Sequence, residues 1–310
     1  MSTYSGSQAG LSDRTDPPGA PSLRRKARPG ESAIKAVLML SALVSVAITI
    51  GILVALIEPV ISFFGEVPLG DFFATEGRFA VLPLVTGTLV VTVIALLVAV
   101  PLGLGAALYL SEYASRRARK FLKPTVELLA GVPSVVYGFF ALAFVTPELL
   151  QDLLAIDVGF TNALSAGLVL GVMVIPTIAS LSEDALSAVP QSMRQGSFAM
   201  GANRMQTSLR VVLPAALSGV AAAVVLGMSR AIGETMIVAL AAGAQKNLSV
   251  DPREGMQTMT GFIAQTARGE NPVGSIEYNN LFAVGLLLFL ITLVINIVSI
   301  SFVRRFRQAY

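Results

Sequence analysis

An all-α integral membrane protein with six transmembrane helices is the fold class this sequence predicts, on three observations. The 310 residues are 54% hydrophobic and only 13% charged. Six tracts are long and apolar enough to cross a bilayer, each offering about 20 mostly apolar residues. The basic residues crowd the segments on one side of those tracts. A soluble domain carries about 25% charge; hydrocarbon excludes it, because an ionised side chain at the bilayer centre costs roughly 2.5–3.5 kcal/mol on insertion scales.

The elements follow in order. Residues 1–32 are rich in Ser, Gly, Pro and charge without apolar periodicity, which predicts a disordered cytoplasmic tail. Its cluster Arg24–Arg28 reads as a topology signal, with contact to anionic membrane lipid as the alternative. The six-span region, 33–310, has tracts at about Ala36–Ile57, Leu82–Leu110, Leu122–Val145, Leu164–Leu181, Leu213–Ala242 and Leu281–Val303. The first begins too far into the chain, and is too long, for a cleaved signal peptide. Pro83, Pro101, Pro133 and Pro176 fall inside tracts, where neighbouring helices can satisfy the freed carbonyls. Seventeen Lys and Arg precede the first tract, follow the last, or lie between tracts two and three or four and five, counting Lys123 at the very start of tract three; only Arg78, Lys246, Arg253 and Arg268 lie on the other side. That asymmetry predicts both termini in the cytoplasm. The acidic loops 58–81 and 146–163 and the long loop at about 243–280 then face outward, the last with a short helix expected over Gly255–Thr266.

Composition also excludes. Without Cys there is no disulfide or thiol chemistry, and without His no imidazole relay or His metal cluster. The pI near 9.3 does not indicate nucleic acid, because the basic residues flank apolar tracts rather than forming one face. No G-x-x-x-x-G-K-[ST] phosphate-cradling run occurs. ATP-driven transport would place the ATPase, with its ATP and Mg, on another chain. This chain is expected to hold no cofactor, no metal and no catalytic residue.

Two constellations carry chemistry. Within the cytoplasmic segment at about 183–214, Pro190 predicts a helix start, Gly201 its end and Arg204–Val212 a second short helix. Such a hairpin offers a knob to a soluble partner; an ordinary amphipathic connector has the same pattern. The spacing of Gly201, Val211, Leu213 and Pro214 resembles the cytoplasmic signature loop of ABC-importer permeases. The resemblance implies coupling helices that contact the ATPase, with Arg204 among their residues. The usual Glu-Ala-Ala opening of that loop is replaced here by Gln195, Gly196 and Ser197.

The second constellation is Ser229–Thr235, inside tract five. On a straight helix starting at Leu213, Arg230 lies roughly 25 Å along, past the middle of a hydrocarbon core about 30 Å thick. Arg230 and Glu234 either form a static i, i+4 pair or face a water-filled path. The Arg-then-Glu order sits badly with the dipole of one continuous helix, which favours the path. A guanidinium also matches phosphate oxygens as a fork. Gly131, Pro133, Ser134 and Gly138 predict a bend and close packing in tract three, with Ser134 and Tyr137 as further path candidates. Glu127 is placed to pair with Lys123, and Glu183 with Asp184 marks the inner end of tract four.

Ser229–Met236 (SRAIGETM) together with Leu128–Phe140 (LLAGVPSVVYGFF) resembles the permeases of Pst-type phosphate importers, the PstC kind more than the PstA kind because Met236 follows Thr235. The resemblance covers about 82–307. It implies an ABC-importer permease of the bacterial inner membrane, paired with a homologous PstA-like permease, an ATPase dimer and a periplasmic phosphate-binding protein. It implies that Arg230 and Glu234 serve translocation, and Thr235 beside them is a further path candidate. In the expected alternating-access cycle, Glu234 neutralises Arg230 at rest, arriving phosphate displaces it, and the carboxylate then repels the anion onward. A permease for sulfate, molybdate or a phosphonate satisfies the same residues. A proton-coupled carrier using Glu234 is a second alternative. An intramembrane hydrolase finds no His, no Cys and no Lys in the middle of a tract.

Overall fold

The computed structural model describes residues 29–269 and 271–305, with side chains described from 33 to 301 apart from 270. Among them the backbone is helical and contains no strand. The helices are α1 (Pro29–Glu66), α2 (Leu69–Phe72), α3 (Leu82–Leu108), α4 (Arg116–Ala130), α5 (Ser134–Phe140), α6 (Ala163–Ser187), α7 (Gln191–Ala199), α8 (Arg204–Thr207), α9 (Leu213–Ala215), α10 (Leu217–Ile232), α11 (Met236–Ala241), α12 (Met259–Arg268) and α13 (Ile276–Arg305). Wide π turns extend α3 through Tyr109–Tyr113, α5 through Ala141–Leu153 and α8 through Ser208–Val212. Helices are what a bilayer demands, since each backbone N–H and C=O then finds its partner within its own segment. The tail assigned to 1–32 lies outside the described residues except for 29–32, which open α1.

Among the described residues five helices are long and apolar enough to cross a membrane, and the bent pair Arg204–Ala215 with Leu217–Ile232 makes a sixth if counted as one span. Contacts divide the chain at residue 53. In the first unit, the side chains of 33–52 are all exposed, an apolar surface suited to lipid. In the second, α6 is central: 61% of its most apolar stretch is buried, against 11% for α13.

The frame of the second unit is the α3–α6 pair. Apolar attraction between helices is weak in lipid, so close van der Waals contact must hold them. Small residues supply it at Gly167-Leu168-Val169-Leu170-Gly171: a Cβ on Gly167 would lie 2.7 Å from Ile94, and one on Gly171 2.9 Å from the carbonyl of Ala95. A second buried cluster joins Val60, Phe63, Val67 and Phe72 to Leu84, Met259 and Val284. A third, at the far end of α6, gathers Ala107, Leu186, Val189, Val212 and Val220.

Two expected spans change shape. Tract three, expected over Leu122–Val145, separates at Gly131–Pro133 into the amphipathic α4 and an apolar span over Ser134–Leu153. The predicted bend is real, but α4 does not qualify as membrane-crossing, because its inner stripe is charged: Arg119 and Lys123 face α6. Tract five, expected as one helix over Leu213–Ala242, turns by 72° at Ala216 and breaks again at Gly233–Thr235. In the long loop at about 243–280, the short helix expected over Gly255–Thr266 lies a few residues later, as α12 over Met259–Arg268.

Candidate functional site

The break after α10 organises the candidate site. Ile232 ends α10, Gly233 caps it, and Thr235 precedes α11. Arg230 stands in the last turn of α10, where the helix dipole favours a cation. Glu234 turns back on the next helix, its carboxylate accepting the N–H groups of Met236 at 3.0 Å and Ile237 at 3.4 Å. These are donors that the first turn of α11 leaves without intrahelical partners. The Arg-then-Glu order that disfavours one continuous helix therefore suits two half-helices, each charge meeting the end that attracts it.

This corrects the expected Arg230–Glu234 pair. The i, i+4 geometry needs an unbroken helix, and the chain leaves it at Gly233. Among the described residues no ion pair engages either side chain. Arg230 is exposed, and its Nη1 donates to Thr177 Oγ1 of α6 at 3.0 Å. Thr235 Oγ1 reaches only the Gly233 carbonyl, at 3.4 Å. Ser229 Oγ donates to Asn296 of α13 at 2.7 Å, fixing the register of α10. The Glu234 carbonyl accepts Thr260 Oγ1 at 2.6 Å, which pins the start of α12 to the break.

Ser134 opens α5, and Tyr137 donates its hydroxyl to the Leu129 carbonyl at 3.1 Å across the bend. Gly138 lets α5 rest on α11, with a Cβ there meeting Leu240 at 2.7 Å. The structure thus attaches Tyr137 to the bend and Gly138 to α11, and among the described residues no hydrogen bond joins Ser134 or Tyr137 to Arg230 or Glu234. At the other end of the bundle from the hairpin, Lys246 donates to the Arg78 carbonyl at 2.6 Å and sits 4.9 Å from the Phe262 ring. Burial pulls its ammonium below the usual pKa.

The hairpin itself forms as the turn residues dictate. Pro190 precedes α7, and Gly201 at φ +85 makes the reversal, a conformation natural to glycine. Asn203 and Gln206 form a capping box on α8, and the buried hydroxyls of Ser197 and Thr207 meet at 2.9 Å between the arms. Arg204 lies 5.9 Å from the Tyr113 ring. Val211 is half-buried, Leu213 packs into the third apolar cluster and Pro214 is exposed. Gln195 and Gly196 face solvent, as do Met200 and Met205.

Three acidic residues do more than their sequence positions indicate. Glu183 is fully buried and receives Arg119, Lys123 at 2.6 Å and the Ser187 hydroxyl at 2.9 Å; Asp184 takes Lys123 at 2.7 Å. Lys123 therefore pairs with α6 and not with Glu127. The hydrogen bond to Asp184, then that to Glu183, raises the Lys123 pKa. Glu112, on the π turn after α3, holds Arg194 at 2.9 Å. The four-residue spacing of Arg119 and Lys123 was the available signal for the first cluster; nothing in the sequence indicated the second.

Helices apolar enough to cross a membrane, one of them broken at a charged segment, and the α7–α8 hairpin with exposed Met200 and Met205 suit a permease subunit. Residues 99–310 match the family described as binding-protein-dependent transport system inner membrane component. The chain is 40% identical over 230 residues to a probable ABC transporter permease protein, YqgH, of Bacillus subtilis, covering 73% of each. It is 35% identical over 265 residues to phosphate transport system permease protein PstC 1 of Mycobacterium tuberculosis (78% of each chain), and 31% over 301 residues to PstC of Haemophilus influenzae (90% of this chain, 94% of that one). An alginate-importing bacterial ABC transporter shares the fold at TM-score 0.63 and 17% identity, over 91% of this chain and 100% of its own. The MetNI methionine transporter does so at 0.54 and 21%, over 74% and 94%. The chain belongs to the inner-membrane components of binding-protein-dependent ABC transporters, as a PstC-like permease. It is a multi-pass transport component of the inner membrane.

Proposed function

We propose that this permease conducts inorganic phosphate inward by alternating access, with a homologous PstA-like permease, an ATPase dimer carrying ATP and Mg, and a periplasmic phosphate-binding protein. Both termini and the α7–α8 hairpin face the cytoplasm in this reading, which the basic asymmetry supports. The observation that carries it is Arg230: a guanidinium on a span, engaged by a neutral hydroxyl and by no carboxylate among the described residues. Its remaining donors suit an oxyanion as a fork. Glu234 is committed to the α11 end, so it does not hold Arg230 neutral at rest. Its charge sits one break further on and keeps the anion from lodging. The names of the PstC relatives supply phosphate as the substrate.

Labelled-phosphate uptake by Arg230→Gln cells with normal membrane levels and assembly tests the site. We expect uptake to fall at least tenfold, a loss of about 1.4 kcal/mol or more; unchanged uptake removes Arg230 from the path. Excess sulfate, molybdate or phosphonate should leave wild-type uptake intact. Uptake in vesicles lacking any ATPase would replace this reading with a proton-coupled carrier.

A further inference from the structure

Arg194 sits where three elements meet, and no part of the permease reading explains it. Its side chain is buried, 9% exposed, beside the 7% exposed carboxylate of Glu112. Nε and Nη2 both donate to Glu112 Oε1, at 3.3 and 2.9 Å. Nη2 also donates to the Leu186 carbonyl at 2.8 Å, and Nη1 donates to that of Val189. The Leu186 carbonyl lies in the last turn of α6 and that of Val189 just beyond its cap, Ala188, at the helix end whose dipole favours a cation. One guanidinium therefore ties α7 of the hairpin to the end of α6 and to the end of α3.

Glu112 reaches it because of the π turn Tyr109–Tyr113. An extra residue in the turn rotates the residues beyond it by about 100° relative to a regular α-helix. Such insertions cluster at functional sites. The α3 and α6 ends that Arg194 joins belong to the glycine-packed pair that frames the second unit. Across the hairpin from this buried anchor, Met200 is 84% exposed and Met205 62%. The hairpin thus has an apolar outer tip and an ionic root set in the frame.

We propose that the Glu112–Arg194 pair is the positioning link that carries displacement of the α7–α8 hairpin into α3 and α6 together, so that breaking it separates ATP hydrolysis from transport. The inference rests on the hairpin being the face that meets the ATPase. A buried ionic junction suits such a link, because the planar fork fixes its geometry. Removing one partner leaves the other charge buried and uncompensated, so the junction either holds or opens. Arg194 is a positioning residue, since its guanidinium is spent on Glu112 and the two carbonyls and acts only through the elements they belong to.

The test uses the complete transporter in proteoliposomes, with ATP hydrolysis and phosphate uptake measured on the same preparation. Wild-type uptake driven by ATP is the control for the functional reading; its absence defeats that reading and, with it, the link that rests on it. With the control in place, the variants judge the link alone. Glu112→Gln should lower uptake roughly tenfold while hydrolysis stays within about twofold, raising the ATP used per phosphate moved. Arg194→Lys keeps the charge but loses the fork, and should fall between wild type and Glu112→Gln. Hydrolysis and uptake falling in the same proportion, or an unchanged ratio in both variants, would overturn the proposal. If Glu112→Gln fails to assemble, the Arg194→Lys ratio decides alone: unchanged, it refutes the link.

Discussion

At the residue scale, the chemistry turns on where one helix stops. Gly233 lets α10 end, and that places Arg230 at a C-terminus and Glu234 at an N-terminus. The two charges then answer to different partners, Thr177 for one and the Met236 and Ile237 N–H groups for the other. Substitutions at sites without shared partners add within about 0.3–0.5 kcal/mol, whereas members of one ion pair couple by about 0.5–3 kcal/mol. The thermal stability of Arg230→Gln, Glu234→Gln and the double variant in detergent should therefore be additive; coupling above about 0.5 kcal/mol would restore the direct pair. A Lys at 230 keeps the charge without the fork, so Arg230→Lys should transport phosphate better than Arg230→Gln and worse than wild type.

At the element scale, two devices hold α6 in place. Gly167 and Gly171 admit α3, and Gly171→Leu should destabilise the fold by about 1–3 kcal/mol or more, read as a lower melting temperature in detergent. Glu183 holds α4 through Arg119 and Lys123. Breaking a fully buried pair costs about 3–5 kcal/mol, but Arg119 and Lys123 are 38% and 30% exposed, so the loss in Glu183→Gln should be nearer 2 kcal/mol. Because the folded pKa of Lys123 lies above its ordinary 10.5, its contribution is complete below that pH and is lost only as pH rises through the folded value. Protease resistance of the 114–131 region should stay level from neutral pH to about 10 and then fall. The spans were legible because apolar length alone marks them, and the Gly201 reversal because glycine favours its positive φ. The breaks in tract five were not legible, since Ala216 carries no breaking signal and Gly233 between Arg230 and Glu234 reads equally well as a glycine inside one apolar helix. Nor was the Arg194 junction, whose carboxylate partner lies 82 residues away and depends on a π turn.

At the scale of the whole molecule, function depends on which end of the bundle meets which solution. The proposed topology puts α7–α8 in the cytoplasm, and the sequence offers a clean means of testing it, because the chain contains no Cys. A single introduced Cys is then the only thiol, and a charged maleimide that cannot cross the bilayer reports its side. Met200, 84% exposed at the hairpin tip, and Val250 and Val273, 79% and 83% exposed around α12, mark the two ends. All three side chains point into solvent, so substitution removes little packing and should leave stability within about 0.5 kcal/mol. In spheroplasts, Val250→Cys and Val273→Cys should label before the membrane is opened, and Met200→Cys only afterwards. The reverse pattern would invert the topology, put the hairpin out of reach of any cytoplasmic ATPase, and remove the basis for the Glu112–Arg194 link together with the coupling role of Gly201, Val211, Leu213 and Pro214. The expected pattern leaves one further consequence open to measurement: with the ATPase bound, the Met200→Cys thiol should become shielded even in opened membranes, while Val250→Cys and Val273→Cys remain reactive.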